Sequence, residues 1–330
     1  MRAFVTGGTG FVGGALARAL RERGDDVVAL VRAPATADHL RHLGCTLVPG
    51  DLDDPDAIRR GLEGADAVFH AAAVYRIGVT AAEADAMERT NVDGTERVLG
   101  LAREAGVERA VHVSTVNVFG NTRGEVVDER RERPRDDFLS AYDRTKYLAH
   151  LAARECGARI AQPGAVYGPG DTSQLGDQIG LAMRGKLPYL SFPSLGVNAV
   201  HVDDVAQGLL LVHDRGRPRE SYVLGGELTT MRALITTAAR VAGKRPPRVT
   251  LPTAAVRAIA PLGSLLRPLG LPPNLHEVIA ASDGVTYWAT DARARGELGY
   301  APRALEDGLL DLYAAEHAPH RAHGDARTPL

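Results

Sequence analysis

Lysine, cysteine and tryptophan are scarce in this chain of 330 residues, which has three lysines (Lys146, Lys186 and Lys244), two cysteines and one tryptophan. Cys45 and Cys156 cannot build a disulfide framework, and neither stands in a Cys-x-x-Cys or Cys/His cluster. A reduced, cytoplasmic setting without a metal site is therefore expected. Charge of one sign is lacking as well. The 39 basic and 41 acidic residues leave a net charge of -2, too weak a field to gather a phosphate backbone or an anionic lipid surface, so neither nucleic acid nor membrane is an expected partner. No long apolar run is present. The most membrane-like stretch, residues 251–271, is interrupted by Pro252, Arg257, Pro261, Arg267 and Pro268, and reads as a partly buried cap. At the start, Arg2 is followed by the short run Ala3-Phe4-Val5, which ends in glycines and is unlike a secretory leader.

The chain does have enough apolar side chains, 45%, for a sizeable core. Short apolar or β-branched runs at residues 3–6, 27–31, 46–48, 67–70 and 110–113 read as strands buried on both faces. Residues 13–23, 54–62 and 87–105 between them have helical spacing and the length of crossover helices. This alternation predicts an α/β fold with a doubly wound parallel sheet. After about residue 163 the alternation weakens and Pro and Gly cluster, marking a smaller second unit. Residues 199–202, followed by Asp203-Asp204-Val205, read as a return to the sheet. The last fourteen residues, with His317, His320 and His323, read as a solvated tail.

Between the first strand and first helix stands Thr6-Gly7-Gly8-Thr9-Gly10-Phe11-Val12-Gly13. Glycines at three-residue intervals permit a tight turn and close approach of backbone N–H groups to a pyrophosphate, and the helix N-terminus adds partial positive charge. The end of the second strand, Ala29-Leu30-Val31-Arg32, has no carboxylate for a ribose 2'-hydroxyl. Arg32 there is suited to a 2'-phosphate, which favours NADP(H) over NAD(H). Asp51, in Gly50-Asp51-Leu52, either meets the adenine amino group or caps the helix that follows.

A second motif is Tyr142-Asp143-Arg144-Thr145-Lys146, preceded by Ser140 in a capping-box-like start. Tyr142 and Lys146 at i and i+4 share a helical face, where an ammonium would favour phenolate and lower the tyrosine pKa, as acid/base work on an alcohol/ketone pair requires. With nine tyrosines and three lysines in the chain, chance places this spacing less than about one time in ten. A third motif is the strand end Val113-Ser114-Thr115, where a hydroxyl of Ser114 or Thr115 could hold a substrate oxygen or satisfy the turn backbone.

Together these motifs resemble the short-chain dehydrogenase/reductase superfamily, in its extended branch with the NAD-dependent epimerase/dehydratase proteins. The resemblance also rests on His70-Ala71-Ala72-Ala73, Asn91-Val92-Asp93-Gly94-Thr95, Gln162-Pro163-Gly164-Ala165-Val166-Tyr167-Gly168-Pro169-Gly170 and His201-Val202-Asp203-Asp204-Val205. It implies a Rossmann domain (1–165 with 199–224), a substrate-binding domain (166–198 with 225–316) and a tail (317–330). It implies catalysis by Thr115, Tyr142 and Lys146, with Thr115 preferred because it stands five before Gly120. Cofactor contacts would come from Gly7, Thr9, Gly10, Phe11, Val12, Gly13, Arg32, Asp51, Leu52, Ala71, Ala72, Ala73, Asn91, Lys146, Pro163 and Val166. A homodimer through helices 87–105 and 142–155 is a further expectation.

Within the branch, Val116 and Asn117 occupy the places where the resembled 4,6-dehydratases carry Asp-Glu, which disfavours dehydration. No Arg-Asp pair precedes residues 196–202, as nucleotide-sugar epimerases usually show, and Gln162 replaces the family's usual arginine. Residues 284–291 and 297–300 look more like the dihydroflavonol-reductase-like and hopanoid-associated groups. The expected function is an NADPH-dependent reductase of a fairly apolar ketone or aldehyde. The alternatives are a UDP-sugar 4-epimerase with tightly bound NAD and a non-catalytic dinucleotide sensor. Tyr75 and Arg76, in the loop after the fourth strand, are candidates to face the nicotinamide or the substrate. Leu187, Tyr189, Phe192 and Leu195 are candidates for the substrate pocket or its lid, with core packing the competing explanation, and His201 reads as a packed or hydrogen-bonded histidine.

Overall fold

A computed structural model describes residues 1–133, 137–263 and 267–317. Its strands are, in chain order, β1 (Arg2–Thr6), β2 (Asp26–Val31), β3 (Thr46–Pro49), β4 (Ala67–His70), β5 (Arg109–Val113), β6 (Arg159–Pro163), β7 (Ala165–Tyr167), β8 (Leu190–Ser191), β9 (Gly196–His201), β10 (Ser221–Leu224), β11 (Glu227–Thr230) and β12 (Thr250–Leu251). The α-helices are α1 (Phe11–Glu22), α2 (Asp38–His42), α3 (Pro55–Leu62), α4 (Ala81–Glu88), α5 (Gly94–Glu104), α6 (Ala141–Glu155), α7 (Gln174–Met183), α8 (Val202–Arg215), α9 (Met231–Val241), α10 (Thr253–Ile259), α11 (Leu275–Ser282) and α12 (Leu305–His317).

The main sheet has seven strands in the order β10-β6-β5-β4-β1-β2-β3, all paired in parallel. This is the doubly wound α/β sheet that the alternation predicts, with the chain reversing direction at β1 and β4. One face buries Val5, Val111 and Ala161 with α1 and α8. The other buries Phe4, Val28 and Val68 with α3 and α5. Each fully buried side chain of this size contributes about 2–3 kcal/mol through loss of apolar surface from water.

The return to the main sheet does not come where the sequence places it. β9 lies instead in a three-stranded sheet, β11-β9-β7, and the chain rejoins the main sheet at β10 after passing through α8. The reason is the pairing of β9 with both β7 and β11, which leaves it no edge to offer. The second apolar cluster, between α7, α9, α12 and β9, closes the smaller unit. Of the expected tail, His317 ends α12, and residues 318–330 lie outside the described residues.

Helix α3 packs so closely on the sheet that a Cβ at Gly61 would stand 2.2 Å from the ring of Phe4. Phe4 is fully buried and has nowhere to move. Gly61→Ala is expected to destabilise the protein by about 1–3 kcal/mol through overpacking, read as a lower denaturant midpoint. An unchanged midpoint would contradict this packing.

Candidate functional site

The site forms along the carboxyl edge of the main sheet, beginning with the glycine turn. Gly7 has φ of 76°, and a Cβ there would lie 2.6 Å from the Ala72 nitrogen. A Cβ at Gly13 would lie 2.1 Å from the Gly7 carbonyl oxygen. Both positions exclude any side chain, and the Gly10 N–H donates to the Gly7 carbonyl at 2.9 Å. Thr9 and Gly10 are exposed, and Phe11 and Val12 are half-buried. Gly10 begins α1 with no side-chain cap and no acidic residue in the first turn. The helix N-terminus therefore keeps its backbone donors and positive end for an external anion, and the cradle fits a dinucleotide pyrophosphate.

Arg32 is exposed immediately after β2 and makes no side-chain hydrogen bond or ion pair among the described residues. His39 of α2, which the sequence reading missed, brings Nε2 to 3.3 Å from the Gly8 carbonyl oxygen. Asp51 does not cap the following helix. Its carboxylate accepts from the Asp53 N–H at 2.9 Å, whereas Asp54 caps α3 by accepting from the Ala57 N–H at 2.9 Å. Leu52 packs beneath Gly94 at the start of α5.

Past β4 the backbone of Ala71 and Ala72 hangs from Thr6: the Ala71 N–H donates to the Thr6 carbonyl at 3.2 Å, and the Ala72 N–H to its hydroxyl at 3.4 Å. Ala73 is exposed. A single turn of π-helix, Arg89–Asp93, joins α4 to α5, so the expected helix 87–105 is interrupted. The turn delivers Asn91 inward, where its amide clasps both backbone groups of Val74 at 2.7 and 3.0 Å and donates to the Thr145 hydroxyl at 3.1 Å. Pro163 closes β6 against Leu224, and Val166 is half-buried in β7.

Helix α6 carries Tyr142 and Lys146. Ser140 caps it by accepting from the Asp143 N–H at 3.1 Å, but Asp143 does not return the bond as a capping box would. Thr115 lies just past β5; its hydroxyl donates to Asn117 Oδ1 at 3.2 Å and accepts from the Asn117 N–H at 3.3 Å, and it stands near enough to the Tyr142 phenol to oppose the rise of its pKa. By accepting from Asn117 it caps the turn Val116–Phe119, so the hydroxyl satisfies the turn backbone. The Ser114 hydroxyl points elsewhere, to His150 Nδ1 at 3.1 Å. Lys146 donates from Nζ to the Val113 carbonyl at 2.7 Å.

The phenol differs from expectation. Burial raises the Tyr142 pKa, nearby Tyr75 and Asp143 add to the rise, and only the Thr115 hydroxyl opposes it. The Lys146 ammonium, which donates to the Val113 carbonyl, is not among the groups that lower that pKa. Burial instead lowers the Lys146 pKa from 10.5 to about 8. Behind it lie three buried imidazoles. Desolvation, reinforced by the Lys146 charge, lowers His70 to about 3 and His112 well below its usual value. Desolvation, with Arg154 and Lys146, lowers His150 to about 4. At neutral pH all three are uncharged. His70 is fixed by Thr6 at 2.7 Å and Thr95 at 2.9 Å.

Two anchors invisible to sequence reasoning hold α6. Arg133 and Asp143, each with 1% of its side chain exposed, form a bidentate pair at 2.5 and 2.6 Å. Arg133 also donates to the carbonyls of Asn117 and Asp137, so it ties the Thr115 turn to the Tyr142 helix. Glu277 of α11 accepts from the Ala141 N–H at 2.9 Å. Neither partner is close in sequence, and no local signal marks them.

Of the pocket candidates, Tyr75 is 58% exposed and meets the Tyr142 ring edge-on at 4.6 Å. Arg76 is exposed and lies 3.9 Å from Glu83. Leu195 packs beside Val116 and Tyr287, Phe192 beside Leu275, Leu187 in the α7–α9 cluster, and Tyr189 is 46% exposed. His201 is buried and caps α8. Among the described residues, no group of three or more His, Cys, Asp or Glu side chains gathers as a metal ion requires.

Comparison with known proteins follows this geometry. Residues 3–225 match the NAD dependent epimerase/dehydratase family. A Stigmatella aurantiaca protein named 4-hydroxy-2-methyl-3-oxo-4-farnesyl-3,4-dihydroquinoline-1-oxide ketoreductase is 34% identical, over 98% of this chain and 100% of its own. The 2-alkyl-3-oxoalkanoate reductase of Stenotrophomonas maltophilia is 32% identical, over 96% and 100%. Among solved structures, gox2253 is 34% identical with a TM-score of 0.81, over 95% of this chain and 97% of its own. The dTDP-glucose 4,6-dehydratase DesIV of Streptomyces venezuelae, solved as a double mutant with NAD bound, is 26% identical with a TM-score of 0.77, over 96% and 97%.

Two outcomes follow from the buried charges. The unfolded chain holds the Lys146 proton up to about 10.5 and the folded chain releases it near 8, so stability rises with pH across that window, by about 3 kcal/mol in all. Lys146→Met is expected to be more stable than the parent at neutral pH and to lose the advantage at high pH. Denaturant midpoints at both pH values check this, and a neutral-pH midpoint no higher than the parent's would contradict it. Arg133→Met leaves the Asp143 carboxylate buried without its partner and is expected to cost about 3–5 kcal/mol. A loss below about 1 kcal/mol in urea unfolding would show that the pair is not what anchors α6.

Proposed function

The chain belongs to the NAD dependent epimerase/dehydratase family and is an enzyme that binds a nicotinamide dinucleotide; from that premise we propose that it is an NADPH-dependent reductase of a fairly apolar ketone or aldehyde. The observation that carries the reading is a buried Tyr142 kept protonated by its raised pKa, with Lys146 one turn further along α6 and Thr115 at the end of the neighbouring strand. A phenol whose pKa is raised keeps its proton until a strong acceptor develops, which suits protonation of a carbonyl oxygen as it gains negative charge. Thr115 holds that oxygen by donating a hydrogen bond. Lys146, on the same helical face and cationic below about pH 8, would hold the nicotinamide ribose, as the family resemblance implies. When bound in the glycine cradle, a reduced nicotinamide would provide the hydride for the carbonyl carbon.

Four features support reduction of an apolar substrate. Relatives at about one-third identity bear the names of a farnesyl-quinoline ketoreductase and an alkyl-oxoalkanoate reductase. Val116 and Asn117 offer no acid for dehydration. Val116, Val118, Phe119 and Tyr287 pack in a buried apolar cluster that begins at the Thr115 turn, so the surroundings of that turn are apolar. Arg32, free and exposed at the end of a strand with no carboxylate, supports NADPH over NADH through charge-assisted bonding to a 2'-phosphate.

The test is consumption of NADPH and, separately, NADH with aliphatic and aromatic ketones and aldehydes, by the wild type and by Tyr142→Phe. The expected result is preferential NADPH consumption, with turnover in Tyr142→Phe lower by about 10²–10⁴-fold and NADPH affinity retained. Unchanged turnover in that variant would remove Tyr142 from its role. A dinucleotide that co-purifies, with nucleotide-sugar interconversion and no net consumption, would make the protein an epimerase. Binding without any turnover would make it a sensor.

A further inference from the structure

The weak net charge of the chain conceals a strong local one. Between Glu227 and Glu277 there is no acidic residue, while seven arginines and lysines fall in the same interval. Those bordering the cap mostly find acidic partners elsewhere: Arg240 pairs with Glu306, Arg257 with Asp283 and Arg267 with Glu83. Lys244, Arg245 and Arg248, in the loop between α9 and β12, do not. All three are exposed and make no side-chain hydrogen bond or ion pair among the described residues. The neighbouring segment after α7 adds Lys186, equally exposed and unpaired. The two segments touch, since a Cβ at Gly185 would lie 3.5 Å from the Lys244 side chain, and the Leu190 N–H donates to the Val249 carbonyl at 2.9 Å. Two of the three lysines in the molecule thus meet at one rim.

Apolar side chains stand among these cations. Val249 is 60% exposed and Tyr189 46%, at the entrance of the parallel pair β8 and β12. Cations interleaved with an exposed aromatic and an aliphatic side chain form the composition that settles at a bilayer interface, where the charges meet lipid phosphates and the apolar groups enter the headgroup boundary. The apolar element is two side chains rather than a broad patch, which suits a fluid surface better than a protein face.

We propose that this rim, formed by residues 184–189 and 244–249, docks the protein on an anionic lipid bilayer. Resting on the reductase reading, the docked protein would take its apolar carbonyl substrate from the lipid. The chain supports such a path: from Tyr189 it runs through β8 to Phe192, partly buried against the apolar cluster of the cap, and on to Leu195, partly buried against the cluster that contains Val116. No helix among the described residues is long and apolar enough to cross a membrane, so the docking is peripheral. The expectation of no membrane partner rested on whole-chain charge, which averages this segregation away.

The test is sedimentation of the full chain with NADPH, using vesicles of phosphatidylcholine alone and vesicles with added phosphatidylglycerol. Wild type is expected to bind the anionic vesicles, to ignore the neutral ones and to be released by high salt. Each cation contributes roughly fivefold to partitioning, so the quadruple variant K186E/K244E/R245E/R248E is expected to lose about two to three orders of magnitude in affinity. That variant should melt like the parent and reduce a water-soluble ketone at the parent rate. Wild type that ignores anionic vesicles, or a variant that still binds them, overturns the proposal. Retention on a soluble polyanion without vesicle binding overturns it too and assigns the rim to an acidic macromolecule. The two readings fail separately: vesicle binding without ketone reduction removes the reductase, and ketone reduction without vesicle binding removes the docking.

Discussion

The buried pair of Arg133 and Asp143 is the constraint on which the geometry of the site depends. Ionised groups at 1% exposure survive only when their hydrogen-bonding capacity is nearly filled, and here the filling is done by backbone. The Leu139 N–H donates to Asp143 at 3.0 Å, and Arg133 donates to carbonyls on either side of it in sequence. The guanidinium also covers the Phe138 ring at 4.5 Å. One charge pair thereby fixes three chain segments: the turn after β5, the approach to α6, and its first turn. Thr115 and Tyr142 stand on two of those segments, so their closeness depends on where Arg133 sits.

Behind Thr115 and Tyr142 the interior is polar yet nearly free of charge. His70, His112 and His150 are held neutral by burial, which leaves Lys146 as the cation of that layer. A lone ammonium in a dry setting is costly, but its field is poorly screened and acts on whatever forms beside it. The Tyr142 phenol, whose pKa is raised by its own burial, stays protonated in the same layer.

Much of this was legible from sequence because it is local. The glycine turn joins a strand to a helix through residues adjacent in the chain, and its conformation is dictated by Gly7 and Gly13 themselves. Tyr142 and Lys146 share a face through helical periodicity. The strands announce themselves by apolar runs buried on both sides. What escaped depends on distant partners. Asp54 rather than Asp51 caps α3 because of where Pro55 starts the helix. β9 reads as a strand of the main sheet but is captured by β7 and β11. The pKa of Tyr142 moves opposite to expectation because burial dominates it, while the Lys146 ammonium donates to Val113, thirty-three residues away. Arg133 and Glu277 reach α6 across ten and 136 residues, distances over which spacing carries no information.

The seven-stranded sheet has one more consequence, for how the chain is made. Its outermost strand on one side, β10, pairs only with β6, yet fifty-seven residues separate the end of β6 at Pro163 from Ser221. During synthesis β6 therefore waits as an open parallel edge while β7, α7, β9 and α8 emerge, a state in which unpaired backbone invites association with other nascent chains. β6 is short and ends in proline, which has no N–H to offer a neighbour. The brevity of that strand limits the hazard for as long as the ribosome takes to deliver its partner.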